Sequence, residues 1–127
     1  MNVQVLSIPH SAHRYGGTVG DWFDWDGQKQ IRVSKMDPRY EVLVALHEFI
    51  ESYLCDFRGI SESDVTAFDK YYEHERDLGI HKSGDEPGDD LRAPYGAEHK
   101  FATRLEQMMA EELGVNWEEY SKALEDL

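Results

Sequence analysis

Residues 37–59 read DPRYEVLVALHEFIESYLCDFRG, and they predict one long helix at the centre of the molecule. Asp37 is a good N-cap, and Pro38 fits the first turn because the N–H that proline lacks has no partner there. Gly59 suits a left-handed stop. Between these ends apolar side chains leave no face of the helix fully polar, so we expect a helix that is surrounded by protein.

Two strand signals precede this helix. A short N-terminal strand is predicted over residues 3–8, where Val3, Val5 and Ser7 alternate with Gln4, Leu6 and Ile8. Asp26-Gly27 separates residues 19–25 from residues 28–35, and this dipeptide favours a two-residue type I′ hairpin because glycine adopts positive φ at little cost. The N-terminal strand and the hairpin together predict a small antiparallel sheet that the helices cover.

Three more helices are expected after residue 59. Ser61 or Ser63 can cap a helix that ends near Gly79, and the turn-rich residues 79–94 predict a loop. A third helix is expected to begin at Pro94 and to end at Gly114. Asn116 with Glu119 resembles a capping box that starts the last helix. The apolar stripe expected to be buried on the third helix consists of Phe101, Ala102, Leu105, Met108, Met109 and Leu113.

The composition indicates a folded protein. A length of 127 residues suits one domain, and 40% hydrophobic and 12% aromatic residues are enough to form a core. The predicted fold class is therefore α+β, with a small antiparallel sheet packed on about four helices around a buried central helix. We expect residues 1–127 to form a single domain.

The net charge restricts the partners. Twenty-six acidic against 13 basic residues give a formal charge of -13, which repels nucleic-acid backbones and anionic membranes and favours cationic partners or bound cations. The sequence contains no long apolar run and no secretory signal. Its one cysteine, Cys55, lies in an apolar run and suits a reducing compartment. We therefore expect a cytoplasmic protein without nucleic-acid or membrane partners.

A group of polar residues in the central helix indicates a metal site. His47 and Glu51 are one turn apart and share a helix face with Leu43 and Leu54. A buried carboxylate needs hydrogen bonds, a countercharge or a metal, and a His–Glu pair one turn apart can bind one cation. Glu48 lies about 100° around the helix, where it can act as general base on a water that the metal activates. The predicted cofactor is zinc or another divalent metal.

A catalytic zinc ion usually has three protein ligands, so one ligand must come from outside the central helix. His99 is the first choice, because it lies in the first turns of the predicted third helix beside the apolar stripe. Glu98, Asp69 and Asp90 are the alternatives. Asp69 can also hold a ligand imidazole by its free N–H.

The central motif carries a resemblance to a known class of enzymes. Leu46-His47-Glu48-x-x-Glu51, preceded by a strand-rich segment, resembles the active-site helix of minimal zincin metalloproteases. The resemblance implies a zincin-like fold, His47 as a zinc ligand and Glu48 as the general base of a hydrolase or peptidase. Zincins have a second histidine where this sequence has Glu51, so Glu51 is inferred as a carboxylate substitute.

A second resemblance covers most of the chain and implies a bacterial cell as its setting. The chain is similar to small uncharacterised proteins of bacteriophages and prophages, and the resemblance implies no known reaction. Its location would be the cytoplasm of the bacterial host. The matching segments are Gly20-Asp21-Trp22, residues 31–34, residues 43–48, residues 87–90 and Glu98-His99-x-Phe101-Ala102-Thr103.

Three functions are compatible with these residues. The first is a metal-dependent hydrolase that attacks an amide or ester of a protein or peptide substrate. The second is a magnesium-dependent nucleotide pyrophosphatase that uses the carboxylates of Glu48, Glu51, Asp69 and Glu73, because such sets suit hard cations and phosphates. The third is a non-enzymatic acidic protein that binds a host protein, with His47 and Glu51 as a structural pair or a structural metal site.

Overall fold

The computed structural model describes residues 1–127 and begins with a three-stranded sheet. The strands are β1 (Val3–Ile8), β2 (Gly20–Trp25) and β3 (Gln28–Ser34), in the order β1-β3-β2. β2 and β3 form an antiparallel hairpin, as predicted. Asp26 and Gly27 have φ values of 51° and 71°, the two positive angles that a type I′ turn requires.

The first strand departs from the predicted antiparallel sheet. β1 pairs with β3 in parallel, so that Val3 lies opposite Lys29 and Ile8 lies opposite Ser34. The sheet is therefore mixed, and only the hairpin is antiparallel. β3 occupies the centre because it carries the most deeply buried apolar side chains, with Ile31 0% and Val33 1% exposed. β1 and β2 remain as the two edges.

The central helix is confirmed, but it is not surrounded by protein on every side, because Val42, Tyr53 and Phe57 are 48%, 53% and 77% exposed. Helix α1 spans Pro38–Phe57, and the side chain of Asp37 accepts a hydrogen bond from the Arg39 N–H at 2.9 Å. Gly59 follows with a φ of 73°. Leu43 and Cys55 are 0% exposed, and α1 packs against the sheet on one side and against α3 (Gly96–Glu112) on the other.

The other helices agree with an α+β fold of about four helices. They are α2 (Glu62–Asp77), α3 and α4 (Trp117–Glu125). Ser61 caps α2, and Asn116 caps α4 by accepting a hydrogen bond from the Glu119 N–H. α3 begins at Gly96, later than the predicted Pro94, because residues 90–93 form a separate turn. None of these helices combines the length and apolarity needed to cross a membrane.

The buried face of α3 differs from the predicted apolar stripe. Phe101 is 39% exposed and Met108 is 62% exposed, so these two residues are on the solvent side. The helix turns a partly polar face inward because the polar side chains bond to groups on α1 and on the loop before α3. The buried residues of α3 are Glu98, His99, Ala102, Glu106 and Ala110.

Candidate metal centre

Three side chains converge between α1 and α3. His47 Nε2 lies 3.1 Å from Glu51 Oε2 and 3.1 Å from His99 Nδ1, and His99 Nδ1 lies 3.1 Å from Glu51 Oε2. All three residues are buried. The three atoms therefore form an equilateral triangle. The structure brings together the three residues that the sequence suggested as metal ligands.

The triangle has the size that a zinc ion needs. A corner of a triangle with 3.1 Å sides lies about 1.8 Å from its centre, the side divided by √3. Zinc binds nitrogen and carboxylate oxygen at about 2.0–2.1 Å, which is slightly longer than this radius, so His47, Glu51 and His99 could hold one such ion together. Two imidazoles and one carboxylate also suit zinc and similar transition metals better than magnesium.

The outward nitrogens of both histidines contact carboxylates. His47 Nδ1 lies 2.7 Å from Glu106 Oε1, and His99 Nε2 lies 3.0 Å from Glu86 Oε2 and 3.4 Å from Asp89 Oδ1. A carboxylate partner holds the proton on the nitrogen that faces it. In each neutral imidazole the inward nitrogen then presents a lone pair to the triangle. Three acceptors at this spacing repel one another unless a positive charge lies among them.

The carboxylates of Glu51 and Glu106 are also held in place by hydrogen bonds. The Trp22 indole N–H donates to Glu51 Oε1 at 3.1 Å, which leaves Oε2 directed at the triangle. The Tyr120 hydroxyl donates to Glu106 Oε2 at 2.6 Å, while Oε1 faces His47. Each candidate ligand therefore has its own outer partner, an arrangement that is common around metal-binding side chains.

The electrostatics of this cluster favour positive charge. Burial lowers the pKa of His47, but its hydrogen bonds to Glu106 and Glu51 outweigh burial and raise that pKa well above the usual value. Burial also opposes the charge on His99, yet hydrogen bonds to Glu51 and Glu86 raise its pKa to about 10. For Glu51, burial is outweighed by the two histidines, which lower its pKa to about 2. The cluster attracts a cation, either protons or a metal.

Glu48 lies in the cleft beside the triangle. The cleft has a volume of about 220 Å³, and Glu48, His47, Glu51 and His99 all line it. Glu48 is half-buried and has no hydrogen-bond partner in the protein. Burial and the nearby Glu51 carboxylate raise the pKa of Glu48 well above its usual value. An unpaired carboxylate at this position can exchange a proton with a molecule in the cleft.

Close packing fixes the position of Glu48. A methyl group on Gly20 of β2 would lie 2.8 Å from Glu48 Oε1 and 2.6 Å from Val44 Cγ1. Only glycine allows β2 to approach α1 this closely. The edge strand therefore forms one wall of the cleft directly against the predicted general base.

The alternative third ligands are engaged elsewhere. Arg58 Nη1 donates to Glu98 Oε2, and Arg92 donates to Asp90. Asp69 accepts hydrogen bonds from the hydroxyls of Tyr15 and Tyr95. Burial raises the pKa of Asp69 to about 7 although both of these hydrogen bonds oppose the shift. None of the three carboxylates belongs to the triangle.

The sequence did not suggest the outer partners Glu86, Glu106, Trp22 and Tyr120. Glu106 follows His99 by seven residues and therefore lies two turns along the same face of α3. That spacing was the available signal, but the apolar residues around it pointed to a different face. Glu86 and Trp22 come from a loop and a strand, whose contacts with the ligands depend on tertiary structure.

Gly88 gives a test of the centre that leaves every ligand intact. A methyl group at this position would lie 2.3 Å from Cγ and 2.4 Å from Nδ1 of His99, so the imidazole must move out of the triangle. We expect Gly88→Ala to weaken zinc binding by about 10- to 100-fold, the usual range for disturbing a ligand's surroundings. Competition with a chelator of known affinity measures the change.

Gly16→Ala is the matched control, because a methyl group there meets no atom within 4 Å. Circular dichroism should show that both variants are folded. Zinc affinity in Gly88→Ala equal to that of the native protein would mean that His99 does not bind the metal through Nδ1.

Comparisons with known proteins give no family for this chain: no family model, no curated protein and no solved structure matches it. The resemblances to zincins and to phage proteins therefore stay predictions. The functional interpretation rests on the geometry of the triangle and the cleft.

Proposed function

We propose that this protein is a metal-dependent hydrolase of the zincin-like kind. His47, Glu51 and His99 bind zinc or a similar divalent metal, and Glu48 is the general base for attack of water on an amide or ester. The observation that carries the proposal is the convergence of three ligand atoms, each 3.1 Å from the other two, beside a cleft with an unpaired glutamate.

The roles of the residues follow from their positions. A metal held by the three ligands supplies a Lewis acid and lowers the pKa of water. Glu48 accepts a proton from the attacking water as its oxygen bonds to the carbonyl carbon. Glu48 then transfers this proton to the leaving nitrogen or oxygen when the amide or ester bond breaks. Trp22 and Glu106 keep Glu51 and His47 oriented throughout.

The arrangement supports this proposal over a magnesium-dependent pyrophosphatase. All four carboxylates of that alternative line the cleft, but Glu51, Asp69 and Glu73 already accept hydrogen bonds within the protein. Arg76 donates two hydrogen bonds to Glu73, and two tyrosine hydroxyls donate to Asp69. Two histidine nitrogens in the ligand set also favour a transition metal.

The cleft also favours a hydrolase over a non-enzymatic binding protein. A structural metal needs a closed ligand set, whereas this triangle opens beside a cleft that contains Glu48. A purely structural centre gives that carboxylate no function. The phage resemblance leads us to place the activity in the cytoplasm of a bacterial host, with a protein or peptide as substrate.

Metal removal and replacement test the proposal. We expect protein purified without affinity tag or chelator to contain about one zinc per chain. Stripped protein should fail to hydrolyse a panel of peptides and esters, and zinc should restore hydrolysis where magnesium does not. Activity can be followed by mass spectrometry of the products.

The same panel should contain nucleoside triphosphates. Their hydrolysis with magnesium, in the absence of zinc, would favour the pyrophosphatase. Protein that contains no metal and takes up none when it is supplied would refute the hydrolase, and His47 and Glu51 would then be a hydrogen-bonded core pair.

A further inference from the structure

Among lysines and arginines, only Arg76 lines the cleft. All of its N–H donors are used in hydrogen bonds within the protein. Arg76 Nε and Nη2 donate to the two carboxylate oxygens of Glu73. Nη1 donates to the carbonyls of Lys82 and Ser83, and Nη2 also donates to the carbonyl of Asp85. These contacts use all five donors of the guanidinium group. No arginine or lysine donor is left to bind an anionic substrate.

Several carboxylates of the same cleft have no basic partner. Glu48 makes no hydrogen bond, and Asp69 is bonded only to tyrosine hydroxyls. At the mouth, Asp85 accepts a backbone N–H, and Glu125 accepts the hydroxyl of Ser83. No lysine or arginine of the cleft is therefore left to balance these carboxylates. A cleft lined by one sign of charge concentrates ligands of the opposite sign.

Aromatic side chains add a second feature that suits a cation on an apolar stem. Tyr15 and Trp117 line the cleft together with the carboxylates. The face of an aromatic ring attracts ammonium and guanidinium groups, and its apolar surface packs against a methylene chain. This combination matches a lysine or arginine side chain better than a small inorganic cation.

We propose that the cleft selects substrates with a lysine or arginine side chain next to the bond that is cleaved. The inference rests on the proposed hydrolase, and it adds the class of substrate. The cationic head lies among the carboxylates that have no basic partner, which include Asp69 and Glu125. The methylene stem lies against the aromatic wall.

Binding of amino-acid hydroxamates tests this preference without requiring turnover. The hydroxamate group binds the metal, so differences in affinity between such compounds reflect the contacts of their side chains with the cleft. Lysine, norleucine and glutamate hydroxamates share this group but carry a cationic, a neutral and an anionic side chain. We expect the lysine compound to bind the zinc-loaded protein about tenfold more tightly than the norleucine compound, because partly buried carboxylates are little screened. The glutamate compound should bind most weakly.

Asp69→Asn should reduce the preference for lysine and leave the affinity for norleucine hydroxamate unchanged. Asp64→Asn, the same substitution at an exposed position on the same helix, is the matched control. Should Asp69→Asn fail to fold, Glu125→Gln at the exposed mouth of the cleft applies the same test. Isothermal titration calorimetry gives every affinity.

The outcomes separate the inference from the proposed function. The substrate preference is refuted if the three hydroxamates bind with equal affinity or if the glutamate compound binds most tightly. Either result remains compatible with the metal centre. Failure of all three to bind zinc-loaded protein overturns the accessible metal centre, and the preference falls with it. Tighter binding of lysine hydroxamate that is unchanged in both Asp69→Asn and Glu125→Gln refutes the role of these carboxylates.

Discussion

Replacement of Glu48 by glutamine should reduce hydrolysis by at least about 100-fold, the usual contribution of a general base, while zinc stays bound. The amide of glutamine has nearly the shape of the carboxylate but cannot accept the proton of water. Its position against Gly20 should be preserved, because the side-chain volume is almost unchanged. The measurement compares kcat with metal content in the same preparation.

Glu41→Gln is the control for this substitution. Glu41 lies in the first turn of α1, outside the cleft, so its replacement should change kcat by less than about twofold. Activity of Glu48→Gln equal to the native level would remove Glu48 from the mechanism. Loss of both metal and activity would instead mean that Glu48 supports the centre itself.

His47→Ala and Glu51→Ala should each lose bound zinc. Either change takes one corner from the triangle and leaves two ligands, fewer than the three that protein zinc sites usually have. We expect elemental analysis to give less than about one tenth of the native zinc content. His99→Ala should behave in the same way, which would separate His99 from Glu98, Asp69 and Asp90.

His74→Ala controls for the loss of a histidine, because His74 is exposed on α2 and outside the cleft. It should retain the native zinc content. Full zinc content in the Glu51→Ala protein would show that the carboxylate is not a ligand. The metal would then have to be bound by the histidines with other groups.

Local signals in the sequence predicted much of the fold. Asp26-Gly27 specified the hairpin turn, and Asp37, Pro38 and Gly59 specified the ends of α1, because these effects act within a few residues. The direction of β1 was predicted wrongly. Strand partners depend on which strand takes the buried centre, and the apolar pattern of an isolated segment does not contain that information.

The positions of the candidate ligands were predictable for a similar reason, and their surroundings were not. His47 and Glu51 are one turn apart in a helix that was expected to be buried, so local periodicity placed them together. His99 was a choice among several residues. Glu106 was missed because the apolar residues of α3, such as Phe101 and Met108, suggested a different inner face. Glu106 is buried there because His47 and Tyr120 both bond to its carboxylate.

The hydrogen bond from Tyr120 to Glu106 has a consequence for how the protein is made. It ties the last helix to His47, so the centre combines groups from residue 22 to residue 120. During synthesis, α1 leaves the ribosome long before α3 and α4, because chains emerge from the N-terminus onward. His47 and Glu51 alone offer two ligands at that stage. The nascent chain therefore lacks part of the proposed centre until residue 120 has emerged.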